Sequence, residues 1–126
     1  MRYLEVRNHE RGSVLGTAVG QADRWWLRMR GLLGRSELGA GEGLLLTPCS
    51  AVHMFGMSIP LDVAFADADG TVIATYSALT PGARTRWHRD ARHALELPAG
   101  TLDATETRVG DSLTWAPARS PLEVVS

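Results

Sequence analysis

Short stretches that predict β-strands recur along most of this chain, with turn residues between them. In residues 61–67, LDVAFAD, the apolar side chains Leu61, Val63 and Phe65 alternate with Asp62 and Ala64. This period of two is typical of a strand with two different faces. Other short stretches, several of them rich in β-branched, aromatic or apolar residues, predict strands at residues 3–6, 13–19, 43–48, 71–79, 93–98 and 112–117. Seven or eight short strands predict a β-rich α+β fold with a curved or partly closed, mostly antiparallel sheet.

One segment has a helical period instead. Asp23 is a suitable N-cap residue, and Gly34 suits the left-handed position that ends a helix. The apolar residues between them fall on one helical face: Trp25, Trp26, Met29, Leu32 and Leu33. The sequence therefore predicts one main helix that covers the sheet. A second, short helix is predicted within residues 99–108.

Length and composition indicate one domain over residues 1–126, with a frayed tail at 118–126. A net charge of −1 gives no general attraction to nucleic acid. All 13 basic residues are arginine, which excludes a lysine Schiff base and a P-loop lysine. No signal peptide or long apolar run is present, so we expect a cytoplasmic protein without a membrane span.

Residues 48–65 contain Cys49, His53 and Met57 at intervals of four. Thiolate, imidazole and thioether are ligands that copper or zinc would accept. In a regular strand, however, Cys49 and His53 would lie about 13 Å apart, too far to bind one metal ion. A metal site at Cys49 and His53 therefore requires a turn in the chain, or a distant ligand such as His88 or His93. The alternative is a packed thiol, a hydrogen-bonded histidine and a core methionine.

Two carboxylates occur within predicted strands, at Asp62 and Glu96. A buried carboxylate requires a partner, which could be a guanidinium group or a turn of backbone N–H groups. Arg35, just after the predicted helix, is a candidate partner for either one. A structural role and a role in proton transfer both remain open.

Residues 84–93 form a long loop rich in arginine that also contains Trp87 and His88. Such a loop could bind an anion or stack a flat ring. The alternative is a solvated loop that Trp87 anchors to the core. The sequence favours a small polar molecule or an anion over nucleic acid as a partner.

Three separated blocks carry a family resemblance: GLLGR at 31–35, MSIPLD at 57–62 and LELPAG at 95–100. In this order they resemble the bacterial and archaeal family called domain of unknown function 192, over about residues 15–115. Many relatives have Trp-Met-Lys-Asn before Pro-Leu-Asp, whereas this chain has Pro-Cys-x-x-x-His upstream. The family has no settled activity, so the resemblance implies a fold and lends no catalytic residue.

Two kinds of function follow from these residues. The first is a non-catalytic module with a ligand pocket near Cys49, His53 and Asp62, roofed by the 84–93 loop. A soft metal is the sharper version of this hypothesis. The second is a thiol enzyme with Cys49 as its nucleophile. The sequence favours the first, because no nucleophile motif surrounds Cys49.

Overall fold

A computed structural model describes residues 2–22 and 38–119 of the chain. Seven strands and one short helix make up the described part. The strands are β1 (Arg2–Asn8), β2 (Ser13–Ala22), β3 (Glu42–Leu46), β4 (Leu61–Ala66), β5 (Val72–Leu79), β6 (His93–Pro98) and β7 (Leu113–Ala118). The helix, α1, spans Thr101–Ala104.

The seven strands form one open sheet in the order β5-β4-β6-β3-β2-β1-β7. Only β2 and β3 are parallel, and the other neighbours in the sheet are antiparallel. Parallel neighbours need a long connection, and residues 23–41 provide it between β2 and β3. The prediction of a β-rich, mostly antiparallel sheet is confirmed.

The two edge strands approach each other at one end of the sheet. An isolated bridge pairs Thr71, beside β5, with Ser112, beside β7. The Leu113 N–H donates to Gly70 O at 2.9 Å, and the Val72 N–H donates to Asp111 O at 2.8 Å. The sheet is therefore strongly curved without closing into a barrel.

Alternation along the strands divides the buried apolar side chains between the two faces of the sheet. One group, here called the α1-side core, consists of Leu4, Val6, Leu15, Val19, Leu45, Ala64, Val72, Leu95, Leu97, Leu102 and Leu113. The other, the opposite core, consists of Ala22, Leu44, Leu46, Val52, Met54, Met57, Leu61, Val63, Phe65 and Ala94. Neighbouring residues of β4 consequently point to different cores.

The β4–β5 connection has the sequence ADADG, at residues 66–70, and its hydrogen bonds are those of a tight turn. The Gly70 N–H donates to Asp67 O, and the Asp67 carboxylate accepts N–H bonds from Asp69 and Thr71 at 2.9 and 3.0 Å. Gly70 has a φ of 86°, a conformation that favours glycine.

The predicted main helix at 23–34, with its five apolar residues, lies outside the described residues, and so does Arg35. The short helix predicted within 99–108 is present as α1. No helix among residues 2–22 and 38–119 has the length and apolar character needed to span a membrane.

Candidate functional site

Two irregular segments run antiparallel on the outside of the opposite core. We call residues 50–55 and 82–88 together the outer ribbon. His53 and Arg84 pair across it as an isolated bridge. The flanking backbone hydrogen bonds run from Met54 N to Ala83 O at 2.7 Å and from Thr85 N to Val52 O at 2.8 Å.

Thr85 and His88 fasten the second segment of the ribbon to the molecule. The buried Thr85 Oγ1 accepts a bond from the Val52 N–H at 3.0 Å and donates to Arg86 O at 3.0 Å. The His88 ring lies 4.6 Å from the Phe65 ring, centroid to centroid, and its Nε2 is 2.7 Å from the Tyr76 hydroxyl. These contacts hold the loop rigidly against the sheet.

Trp87 does not anchor this loop, because 72% of the residue is exposed. The suggestion that Trp87 packs into the core is therefore wrong. The adjacent His88 occupies that position instead, since it can both stack on Phe65 and bond to a hydroxyl group. A sequence pattern does not reveal which of two neighbouring rings turns inward.

A groove of about 580 Å³ opens on the outer ribbon. It is lined by Ala51, Val52, His53, Phe55, Gly82, Arg84 and Thr85. An imidazole and a guanidinium group thus face a cleft whose walls are otherwise small or apolar. Phe55, at one end, is 79% exposed.

Arginine dominates the charge around this groove. Four arginines of the loop are exposed: Arg84, Arg86, Arg89 and Arg92. The ion pairs found among the described residues join other groups, Arg7 to Glu5 and Arg11 to Asp111. The four guanidinium groups of the loop are therefore available to an anion from solution.

Asp62 lies on the other side of the sheet. It alternates with Leu61 and Val63, which face the opposite core, and so it points toward α1. Its Oδ1 accepts a bond from the Ala78 N–H at 2.8 Å. Its Oδ2 accepts bonds from the Gly100 and Leu102 N–H groups at 3.0 and 2.9 Å. The carboxylate, only 1% exposed, thus joins the end of β5 to the start of α1.

Cys49 and Met57 lie at the opposite core. The Cys49 residue is partly buried, and its Sγ donates to Ala51 O at 3.2 Å. Met57 is a buried member of that core at 6% exposure. The structure therefore brings His53 to the groove and leaves Asp62 on the other face of the sheet. A single pocket rimmed by Cys49, His53 and Asp62 does not form.

Glu96 is fully buried in β6, opposite Leu44 of β3 and Val63 of β4. Its neighbours Leu95 and Leu97 face the α1-side core, so Glu96 points to the opposite face from Asp62. Arg35 lies outside the described residues, and its pairing with either carboxylate stays a prediction.

Residues 2–22 and 38–119 contain no group of three or more His, Cys, Asp and Glu side chains placed to hold a metal ion. The copper or zinc site at Cys49 and His53 stays a prediction. His93, one of the suggested distant ligands, has its Nδ1 2.6 Å from the Thr47 hydroxyl and its ring 4.8 Å from that of Trp115.

Two histidines, His88 and His93, have a pKa below the ordinary value of the side chain. Burial, followed by the charge of Arg86, lowers the pKa of His88. Burial and the charge of Arg92 lower the pKa of His93, while Asp67 acts in the other direction. Both imidazoles are therefore neutral at pH 7, which suits their hydrogen bonds to hydroxyl groups.

Comparison with known proteins places this fold in a family. The model of DUF192, described as Uncharacterized ACR, matches residues 6–115. The chain belongs to the DUF192 family. It is 27% identical over 112 residues to a UPF0127 protein of Thermococcus sibiricus, covering 86% of this chain and 72% of the relative. The resemblance of residues 15–115 to this family is thus confirmed.

Two crystal structures share the fold at 23% identity. A protein of unknown function from Novosphingobium aromaticivorans has a TM-score of 0.75, with 90% of this chain and 84% of that one covered. A protein from Sinorhizobium meliloti, provisionally described as a transcription regulator, has a TM-score of 0.73, with 91% and 96% covered. DUF192 is an uncharacterised family.

Proposed function

We propose that this DUF192 protein is a non-catalytic binding module that takes a small anionic group in the groove of the outer ribbon. The observation that carries the proposal is the pairing of Arg84 with His53 at the wall of that groove. A guanidinium group matches a carboxylate or phosphate with two parallel N–H bonds. The exposed arginines that follow Arg84 increase the local positive potential.

The rigidity of the ribbon supports binding. Backbone hydrogen bonds on both sides of the His53–Arg84 bridge fix the backbone beneath both side chains. A site whose backbone is already ordered loses less conformational entropy when a ligand arrives. The apolar lining supplied by Val52 and Phe55 further favours an anion attached to a carbon skeleton.

The test is a titration of ¹⁵N-labelled protein with citrate, followed by NMR. We expect the largest shifts at the backbone and side-chain N–H groups of Arg84 and at His53. Arg84→Gln should weaken binding about tenfold, because it removes a charge-assisted hydrogen bond worth roughly 1.5 kcal/mol or more.

Arg89→Gln is the matched control, since it removes the same charge from the same loop but does not line the groove. Binding by Arg89→Gln should stay within about twofold of wild type. Equal weakening in both variants, or citrate shifts spread evenly over all exposed arginines, would mean that the loop only attracts ions without forming a site.

A further inference from the structure

Phe55 lines the groove of the outer ribbon and is nevertheless almost uncovered. The residue is 79% exposed, the largest fraction among the large apolar residues that the structure describes. A single exposed ring on an open surface needs no explanation, but this one stands in a cleft beside an imidazole and a guanidinium group. Apolar walls with a few polar groups are typical of small-ligand sites.

The polar side chains of the groove suit one acid group and little else. Arg84 is the one guanidinium group among the described residues that line it, and His53 supplies the imidazole. Thr85 also lines the groove, but its Oγ1 already accepts a bond from the Val52 N–H and donates to Arg86 O, both at 3.0 Å. No acidic side chain lines the groove within the described part of the chain. A sugar would lose the hydrogen bonds of its many hydroxyl groups there, whereas a molecule with one carboxylate and an apolar body fits.

Open space lies next to the segment that carries Phe55. Gly82 donates its N–H to Met54 O at 3.1 Å, so it lies beside the chain neighbour of Phe55. A Cβ added at Gly82 would meet no atom within 4 Å. The uncovered backbone leaves room for a flat ring. The groove volume of about 580 Å³ also lies within the range of roughly 300–1,000 Å³ that is usual for small ligands.

We propose that the ligand of the groove is an aromatic carboxylate and that Phe55 selects it. This inference rests on the proposed anion site and names the chemical class of its ligand. Arg84 binds the carboxylate through two parallel N–H bonds, while the ring of the ligand packs against Phe55. Two aromatic rings attract each other beyond the burial of apolar area, because the positive edge of one meets the negative face of the other. Phe55 therefore distinguishes an aromatic ring from a saturated one of similar size.

The test compares two acids with the same carbon skeleton, 2-naphthoate and its saturated counterpart decahydro-2-naphthoate. Each is titrated into ¹⁵N-labelled protein, and its affinity is taken from the shifts of the Arg84 N–H signals. Both acids should move these signals, because both carry the carboxylate. We expect 2-naphthoate to bind about three- to tenfold more tightly. The saturated acid has at least as much apolar area, so area burial alone would not produce this order.

Phe55→Leu removes the ring but keeps an apolar side chain, so the two acids should then bind within about twofold of each other. Phe55→Trp keeps an aromatic ring and should keep the preference. Trp87→Leu is the matched control, because Trp87 is 72% exposed in the same ribbon but does not line the groove. Citrate has no ring, and none of the three variants should change its binding by more than about twofold. Both positions are exposed, so folding is expected to survive, which the NMR spectrum itself checks.

The outcomes separate the two proposals. If wild type binds the two acids equally and Arg84→Gln weakens both, the aromatic ligand is overturned and the anion site stands. A preference that survives in Phe55→Leu, or that Trp87→Leu abolishes, also overturns the assignment to Phe55. If citrate and both acids leave the Arg84 signals in place, the anion site itself is overturned, and the aromatic ligand with it.

Discussion

Asp62 offers the sharpest test of how this fold is held together. Its carboxylate accepts three backbone N–H bonds of 2.8, 3.0 and 2.9 Å, from Ala78, Gly100 and Leu102. Asp62→Asn keeps the size of the side chain but replaces one acceptor oxygen with an NH2 group. The amide can retain the two bonds to α1 only by turning its NH2 group toward the Ala78 N–H.

The magnitude follows from this geometry. One charge-assisted hydrogen bond is lost, at a cost of roughly 1.5–3 kcal/mol, and the other two become neutral and weaker. Lower desolvation of the uncharged amide offsets part of this loss. We expect Asp62→Asn to reduce the free energy of unfolding by about 3 kcal/mol, a large change for one conservative substitution.

The assay is urea unfolding at pH 7, followed by circular dichroism and fitted with a common slope. Asp103→Asn is the matched control, because Asp103 is exposed in the same helix that Asp62 holds. The control should change the free energy of unfolding by less than about 0.5 kcal/mol. If Asp62→Asn is as stable as Asp103→Asn, the three bonds do not stabilise the fold and the reasoning fails.

Three further predictions concern close packing and charge. A Cβ at Gly43 would lie 2.6 Å from Glu96 O and 3.0 Å from Leu97 Cδ2, so Gly43→Ala should lower the free energy of urea unfolding by about 2–3 kcal/mol. Gly39→Ala is the control, because its new Cβ would meet only the flexible Glu42 side chain, and it should cost under about 1 kcal/mol. The hydrogen bond from Asn8 is the main cause of the lowered pKa of Asp111, so the free energy of unfolding of wild type should fall as the pH drops from 3.8 through the lower pKa of the folded protein. Asp111→Asn should lose less stability over this pH range. An equal loss in both proteins would contradict this prediction. Because the pKa of His88 is lowered in the folded protein, the unfolded chain binds more protons than the folded one just below pH 6.5. The thermal stability of wild type should therefore fall as the pH drops from 7, and His88→Gln should show a smaller fall. A fall as steep in the variant as in wild type would refute this.

Local patterns predicted much of the fold because strand identity is a local property here. The stretch at 61–67 alternates strictly, and β4 occupies residues Leu61–Ala66. The turn at ADADG was also predictable, since Asp67 and Gly70 supply the side-chain acceptor and the positive φ that the turn uses. Neither conclusion requires knowledge of a distant residue.

The candidate site was harder to predict because it depends on a pairing between segments about 30 residues apart. Phe55 and Thr85 carried no local signal of a groove, yet Thr85 bonds to Val52 and Phe55 lines the cleft. Period two did place Asp62 on a different face of β4 from Leu61 and Val63. It could not show that the segment carrying Cys49 and His53 covers the face of Leu61 and Val63.

The Asp62 hydrogen bonds and the outer ribbon meet at the end of β5. Asp62 holds the Ala78 N–H, and only a few residues later Gly82 donates to Met54 O at 3.1 Å, where the outer ribbon begins. Arg84 follows two residues after that bond. The buried carboxylate on one face of the sheet thus fixes the strand end that leads into the groove on the other face. Asp62→Asn should therefore speed hydrogen exchange at the Gly82 and Ala83 amides by more than at Asp67, whose amide bonds to Thr71 O beyond the other end of β4. Equal acceleration at all three amides would show that the substitution lowers global stability alone and that the clamp does not order the ribbon.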